Sequence, residues 1–342
     1  MNDNKQLSAI RKIGVIGAGS WGTSLANLLA KKGFPVTLWA YEEDLVEKMS
    51  QTHENDHYLP GIKLSENLSF SANIADAASL DLLLLVSPSQ VMRLVVKQAV
   101  AAIRPDAIIV SASKGIENET LLPMSDVLQE ILPQQLSQRM AFLSGPTFAK
   151  EVALEQPSAV VAAADNQDIC NQVQEVFSTD YFRVYTNNDV IGTELGGALK
   201  NVIALAAGVC DGLGYGYNTR AALITRGLAE MKKLGMAMGA KAETFSGLAG
   251  MGDLLLTCTG DLSRNRTVGI ELGKGRSLND ILADMSMVAE GVKTTLSTYQ
   301  LADKLAVEVP IITEMYKILY LNKDPRQAVI ELMQRELKSE YS

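Results

Sequence analysis

The segment Lys12-Ile13-Gly14-Val15-Ile16-Gly17-Ala18-Gly19-Ser20-Trp21-Gly22 constrains this chain more than any other. Ile13 to Ile16 is a short, mostly β-branched run that reads as a buried strand, and it ends on the spacing G-x-G-x-x-G. After Gly22 the apolar period becomes helical, with Leu25, Leu28 and Leu29 at three- and four-residue steps. Strand, tight turn and helix in that order open a dinucleotide-binding βα unit. Gly17 permits the turn, Gly19 lets backbone come against a pyrophosphate, and Gly22 removes a side chain where helix and strand pack. Free N–H groups and the positive end of the new helix then hold phosphate charge.

A second strand, Val36-Thr37-Leu38-Trp39, leads into Ala40-Tyr41-Glu42-Glu43-Asp44. An acid about 20 residues beyond the glycines takes ribose hydroxyls, whereas an arginine favours a 2′-phosphate. Glu42 or Glu43 stands near that place and no arginine does, which leans towards NADH. Three more apolar runs each end in small or polar residues: Leu80 to Val86 before Ser87-Pro88-Ser89, Ala107 to Val110 before Ser111, and Ala141 to Leu143 before Ser144. Such strands alternating with helices predict an α/β fold, a Rossmann-like, doubly wound and mainly parallel sheet. Ser158 to Ala163 and Phe182 to Tyr185 read as added edge strands. From Thr186-Asn187-Asn188-Asp189 onward only long helical patterns remain, and Asp189 is a natural helix cap. The expected division is therefore 1–188, dinucleotide-binding, and 189–342, an all-α substrate-binding and catalytic domain.

Composition removes several function classes. A net charge of −8 over 342 residues gives no basic excess for general nucleic-acid binding. No apolar run approaches the ~20 residues of a membrane span, and the polar Met1 to Ala9 lacks a signal-peptide core, so the expected location is the cytoplasm. Cys170, Cys210 and Cys258 are scattered and odd in number, against a disulfide framework or a zinc site, and no metal is expected. Only His53 and His57 exist, in a polar stretch that reads as a solvated loop; a proton acceptor other than histidine is expected.

Between Val190 and Cys210 the only charged residues are Glu194 and Lys200. On a helix Lys200 lies among Thr193, Gly196, Gly197, Ile203, Ala204 and Ala207, a stripe that admits a ligand or another backbone. A buried lysine loses pKa and can take a proton from a hydroxyl; a lysine at a close helix contact can equally reach out to solvent. Gly247 to Asp253 is glycine-rich, and Asp253 reads as a helix cap or a site residue. Ser263-Arg264-Asn265-Arg266 offers a hydroxyl, a guanidinium and an amide that suit a phosphate or an exposed basic turn.

Taken in order, these motifs resemble the bacterial NAD(P)-dependent glycerol-3-phosphate dehydrogenases from about Lys12 to past Tyr320. The likeness rests on Gly17 to Gly22, Ser113-Lys114-Gly115, Ser144-Gly145-Pro146-Thr147-Phe148-Ala149-Lys150-Glu151, Leu195 to Asn201, Thr225-Arg226-Gly227, Gly250 to Asp253 and Ser263 to Arg266. The resemblance implies that Lys200 is the proton acceptor and that Lys114 touches both cofactor and substrate. It implies substrate contacts at Gly145, Thr147, Asp253, Ser263, Arg264 and Asn265. It implies cofactor contacts at Ser20, Trp21, Ala149, Val288 and Glu290, with Arg264 also reaching the cofactor and Tyr41 and Tyr58 at variable cofactor-side positions.

The expected function is reversible reduction of dihydroxyacetone phosphate to sn-glycerol 3-phosphate with NAD(H) or NADP(H), supplying the glycerophospholipid backbone. Apolar residues of the helical domain allow a homodimer. Two alternatives stay open from the residues: a hydroxyacid or 6-phosphogluconate dehydrogenase, which needs a carboxylate site, and a dinucleotide sensor without turnover.

Overall fold

The computed structural model describes residues 10–285, 289–337 and 339–340. The glycine turn stands at the edge of one sheet built from β1 (Ile13–Ile16), β2 (Val36–Trp39), β3 (Leu68–Ser71), β4 (Leu82–Leu85), β5 (Ile108–Ser111), β6 (Met140–Ser144), β7 (Ser158–Ala163) and β8 (Phe182–Asn187). Their spatial order is 3-2-1-4-5-6-7-8. Neighbours are parallel except for β6 and β7. The first six strands follow the doubly wound dinucleotide order, whose crevice opens where the order reverses, here between β1 and β4. Ile16 is in register with both Trp39 and Leu85, so the residues after three strands meet at that crevice.

Helices α1 (Ser20–Lys31), α2 (Glu43–Thr52), α3 (Ile74–Ala78), α4 (Met92–Ala99), α5 (Met124–Ile131), α6 (Ala149–Ala153) and α7 (Gln167–Phe177) accompany the sheet. Alternate side chains of one strand enter opposite cores because the strand period is two. Leu82 and Leu84 pack with Leu25 and Leu29, while Leu83 and Leu85 pack with Val96 and Leu128. Burial on both faces explains why the central strands carry continuous apolar runs. β3 has no such run: Leu68 is buried, Ser69 is exposed, and the strand borders only β2.

Beyond Asn187 the described elements are helical: α8 (Val190–Gly212), α9 (Tyr217–Ala237), α10 (Asp253–Thr259), α11 (Arg264–Gly273), α12 (Leu278–Ala283), α13 (Glu290–Lys304), α14 (Pro310–Leu321) and α15 (Pro325–Met333). Asp189 caps α8 by accepting from the Gly192 N–H at 2.9 Å. Its other oxygen accepts from the Lys241 N–H (2.8 Å) and the Thr244 hydroxyl (2.6 Å), fixing the start of the helix against the next layer. α8 is long and apolar enough to cross a bilayer, yet 94 % of its apolar window is buried inside the protein. It is the spine of the second core, with α9, α10, α11, α13 and α14 packed around it.

α8 and α11 approach most closely at glycines. A Cβ on Gly208 would lie 2.1 Å from the Arg266 carbonyl oxygen, and one on Gly269 would lie 2.1 Å from that of Leu205. Both obstacles are backbone, so neither can yield by a rotamer change. Gly208→Ala is therefore expected to destabilise the protein by about 1–3 kcal/mol, the usual cost of overpacking. A denaturant-unfolding midpoint equal to that of the wild type would contradict this helix contact.

Candidate active site

The glycine turn has the geometry of an anion cradle. Gly17 holds a φ of +115°, and its N–H donates to the Trp39 carbonyl at 3.2 Å. A Cβ on Gly22 would sit 1.9 Å from the Gly17 carbonyl oxygen, so this helix can begin only on a glycine there. Gly19 has open space where a side chain would stand. As the residue preceding α1 it offers no capping side chain, which leaves the first N–H groups, at Ser20 and Trp21, turned to the crevice. Trp21 packs against Phe182 of β8 at 6.5 Å between ring centroids. The Ser24 hydroxyl donates to the Ala149 carbonyl (2.9 Å), tying α6 to α1.

Asn55, which the sequence left inside a polar stretch, is fully buried and braces this turn. Its Nδ2 donates to the Ala18 carbonyl and to Thr23 Oγ1, both at 2.8 Å. Its Oδ1 accepts from the Tyr58 N–H (3.1 Å), and the Tyr58 hydroxyl donates to Glu42 Oε1 (3.0 Å). Tyr41 is 80 % exposed and stands edge-on to Trp39. His53 ends α2 in a left-handed conformation beside Phe70, and His57 stands edge-on to Tyr58.

On the far side of the crevice two lysines converge on one carboxylate. Lys114 follows β5 and donates to the Gly145 carbonyl (3.1 Å) and to Asp253 Oδ2 (2.6 Å). Lys200, in the middle of α8, donates to Asp253 Oδ1 (2.5 Å) and to Thr257 Oγ1 (2.9 Å). The Asp253 side chain is 0 % exposed, and those of Lys200 and Lys114 are 8 % and 14 % exposed. Asp253 is the first residue of α10, but its carboxylate serves the lysines instead of capping the helix. Burial lowers the Lys200 pKa to about 8; the Asp253 charge opposes that fall and the Lys114 charge adds to it.

The small residues around Lys200 admit another backbone and two neighbouring side chains. A Cβ on Gly196 would lie 2.3 Å from the Ala249 carbonyl oxygen, a close backbone approach. One on Gly197 would lie 2.6 Å from Ser144 Oγ and 3.3 Å from the Lys114 side chain, so this glycine makes room for site residues. Gly145 needs its own freedom, with φ +143° and Val160 behind it. Lys114, Thr147, Trp21 and Ser144 line one small cavity beside the lysines. The Ser144 hydroxyl is buried and has no hydrogen-bond partner among the described residues. The sequence marked it only as the polar residue after a strand and the start of a matching motif, with no role of its own.

α11 starts at the same place. Ser263 Oγ accepts from the Arg266 N–H at 3.3 Å, which makes that hydroxyl a helix cap. Arg264 is exposed, whereas Asn265 is buried. Asn265 Nδ2 donates to Asn201 Oδ1 and its Oδ1 accepts from the Gly291 N–H, each at 2.9 Å. That amide joins α11 to α8, one residue from Lys200, and to α13, one residue from Glu290. Glu290 accepts from the Ser89 N–H (3.2 Å), reaching the loop after β4. Burial raises its carboxyl pKa, opposed by the Ser89 hydrogen bond and by the charges of Arg264, Lys114 and Lys200. Val288 lies outside the described residues. A cleft of about 480 Å³ opens elsewhere, between α13, α14 and α15, and contains none of these groups.

A dinucleotide crevice in a doubly wound sheet, with one lysine from the sheet edge and a buried one from a helical layer beside it, defines a nicotinamide-dependent dehydrogenase. Comparison with known proteins makes the class particular. The family described as NAD-dependent glycerol-3-phosphate dehydrogenase matches with its N-terminal part at residues 12–170 and its C-terminal part at 189–330. A glycerol-3-phosphate dehydrogenase (NAD(P)+) of Syntrophotalea carbinolica is 64 % identical over 96 % of this chain and 99 % of its own length. One from Citrifermentans bemidjiense is 63 % identical over 96 % and 98 %. The crystal structure of glycerol-3-phosphate dehydrogenase from Coxiella burnetii superposes with a TM-score of 0.90 at 40 % identity, covering 95 % of this chain and 99 % of that one. The chain belongs to the NAD-dependent glycerol-3-phosphate dehydrogenase family. It is an oxidoreductase that reduces dihydroxyacetone phosphate to glycerol 3-phosphate with NAD(H) or NADP(H).

Asn55 holds the turn through two buried hydrogen bonds, so its loss must be felt by the cofactor. Asn55→Ala is expected to weaken NADH binding by about tenfold, the equivalent of one such bond. Titration of tryptophan fluorescence checks this, and an unchanged dissociation constant would contradict the bracing role.

Proposed function

We propose that Lys200 is the proton donor and acceptor of this reaction and that the Lys114–Asp253–Lys200 cluster polarises the reacting oxygen. The carrying observation is the shared carboxylate: two lysines, one from the sheet edge and one from α8, are held within 2.6 Å of a single buried aspartate. When bound, the nicotinamide supplies hydride to the C2 carbonyl carbon. Protonated Lys200 delivers a proton to the oxygen as charge develops, and Lys114 stabilises that charge in a site with little water. In oxidation, neutral Lys200 takes the hydroxyl proton, with Asp253 orienting both amines.

The phosphate is assigned to the Arg264 guanidinium and the first N–H groups of α11, with Ser263 and Asn265 fixing that turn. Gly145 and Thr147 complete the substrate side. On the cofactor side the proposal assigns the pyrophosphate to Gly17, Gly19, Ser20, Trp21 and Gly22, and further contacts to Tyr41, Tyr58, Lys114, Ala149, Arg264, Val288 and Glu290. The open Gly19 and the uncapped start of α1 support this assignment. The division of labour is between residues 1–188 and 189–342. The reading also includes supply of the glycerophospholipid backbone and a cytoplasmic location, supported by three cysteines that are free and buried. It includes a homodimer through the helical domain, where Leu321 and Met333 are exposed.

Lys200→Ala is expected to lower kcat by about 10²- to 10⁴-fold, the range of general acid–base catalysis. NADH affinity should stay within about threefold, since the lysine is placed at the substrate. In the oxidation direction, kcat/KM of the wild type should rise with pH to an apparent pKa near 8, as Lys200 loses its proton. A variant that loses cofactor binding but keeps turnover overturns the assignment.

A further inference from the structure

β2 delivers Glu42 to the crevice at a fixed distance from the glycine turn, and an unbroken chain of hydrogen bonds enforces it. The Gly17 N–H donates to the Trp39 carbonyl, so the end of β2 is tied to the turn itself. From the same turn, the Ala18 carbonyl accepts from Asn55, Asn55 accepts from the Tyr58 N–H, and the Tyr58 hydroxyl donates to Glu42. The loop is closed: both routes from the cradle end on one carboxylate. Tyr58 occupies Oε1 and leaves Oε2 without a hydrogen-bond partner among the described residues.

We propose that the Asn55–Tyr58–Glu42 relay makes this crevice selective for an adenosine ribose with a free 2′-hydroxyl, so that the enzyme binds NADH in preference to NADPH. This rests on the dinucleotide placement given under Proposed function. A carboxylate accepts hydrogen bonds only, which suits ribose hydroxyls. A 2′-phosphate instead brings a further charge of about −1.5 to −2. Here it would meet Glu42, Glu43 and Asp44 on three successive residues, and from Gly33 to Glu47 the chain has no lysine or arginine to receive it. The nearest basic residues along the chain are already engaged, Lys48 with Asp56 and Lys32 with the carbonyls of Glu175, Val176 and Ser178. Repulsion of this kind rejects the wrong ligand as effectively as added contacts select the right one. Beside the cofactor contact assigned to it above, Tyr58 positions Glu42: its hydroxyl donates to the carboxylate and sets where that group stands.

The test is the ratio of dissociation constants for NADPH and NADH, titrated by protein fluorescence on the full-length wild type, Glu42→Gln and Tyr58→Phe. The wild type should favour NADH by at least about tenfold, Glu42→Gln should cut that preference by about tenfold, and Tyr58→Phe should cut it by a smaller factor. The ratio is its own control for folding, since damage to the protein weakens both cofactors together. Equal or tighter binding of NADPH by the wild type overturns the proposal and leaves the dinucleotide site intact. So does a preference that Glu42→Gln does not change. Failure of the folded wild type to bind either cofactor overturns the proposal and the placement of the cofactor together.

Discussion

A buried and a partly buried ammonium group share one buried carboxylate, and much of this molecule is arranged to make that tolerable. Moving any of the three charges out of water is costly, and a lone buried ion would lose its charge instead. Asp253 takes one hydrogen bond from each lysine, and Thr257 supplies a further acceptor to Lys200. Two cations against one anion still leave a local excess of positive charge. That excess, with the exposed Arg264 nearby, runs against the net charge of −8 of the whole chain, and it would favour a phosphorylated substrate bound where we propose. The same imbalance acts on Lys200, whose pKa falls to about 8 because burial and Lys114 together outweigh Asp253. An amine at that value exchanges protons readily near neutral pH, while an ordinary lysine does not.

The scaffold brings these charges together through missing side chains. α8 runs through the second core with Lys200 at its middle, and its glycines decide what comes near. Gly196 admits the backbone at Ala249, which sets the start of α10 and hence Asp253. Gly197 leaves the volume that Ser144 and Lys114 occupy. Further along, Gly208 and Gly269 draw α11 against α8, and the Asn265–Asn201 bond holds the first turn of α11 beside Lys200. A glycine in a helix costs about 1 kcal/mol relative to alanine. Here each is matched to a backbone or a site group that a methyl would displace.

Much of this was legible beforehand, and the exceptions have physical causes. The central strands announced themselves because burial on both faces demands continuous apolar runs. β3 did not, since an edge strand of Leu68-Ser69-Phe70-Ser71 is only half buried and carries too little pattern. Lys200 stood out as one of two charges in an apolar helix, and its small-residue stripe pointed to a ligand or a backbone; the structure has the backbone, at Ala249, and packs the Ser144 and Lys114 side chains against Gly197. Asp253 read equally well as a helix cap, because its partners lie 53 and 139 residues away and no local spacing reveals them. Asn55 and the Tyr58–Glu42 pair were hidden for the same reason. Ser263 caps its helix, a role not read from the run Ser263 to Arg266.

The most direct measurement is a pH titration of the Lys200 amine itself, by NMR of protein carrying ¹³Cε-labelled lysine, in the wild type and in Asp253→Asn. Lys200 should titrate near pH 8 in the wild type, and lower in the variant, where the favourable carboxylate charge is gone while Lys114 remains. A wild-type Lys200 that titrates near its ordinary value of 10.5 would contradict the buried, proton-exchanging amine on which the mechanism depends.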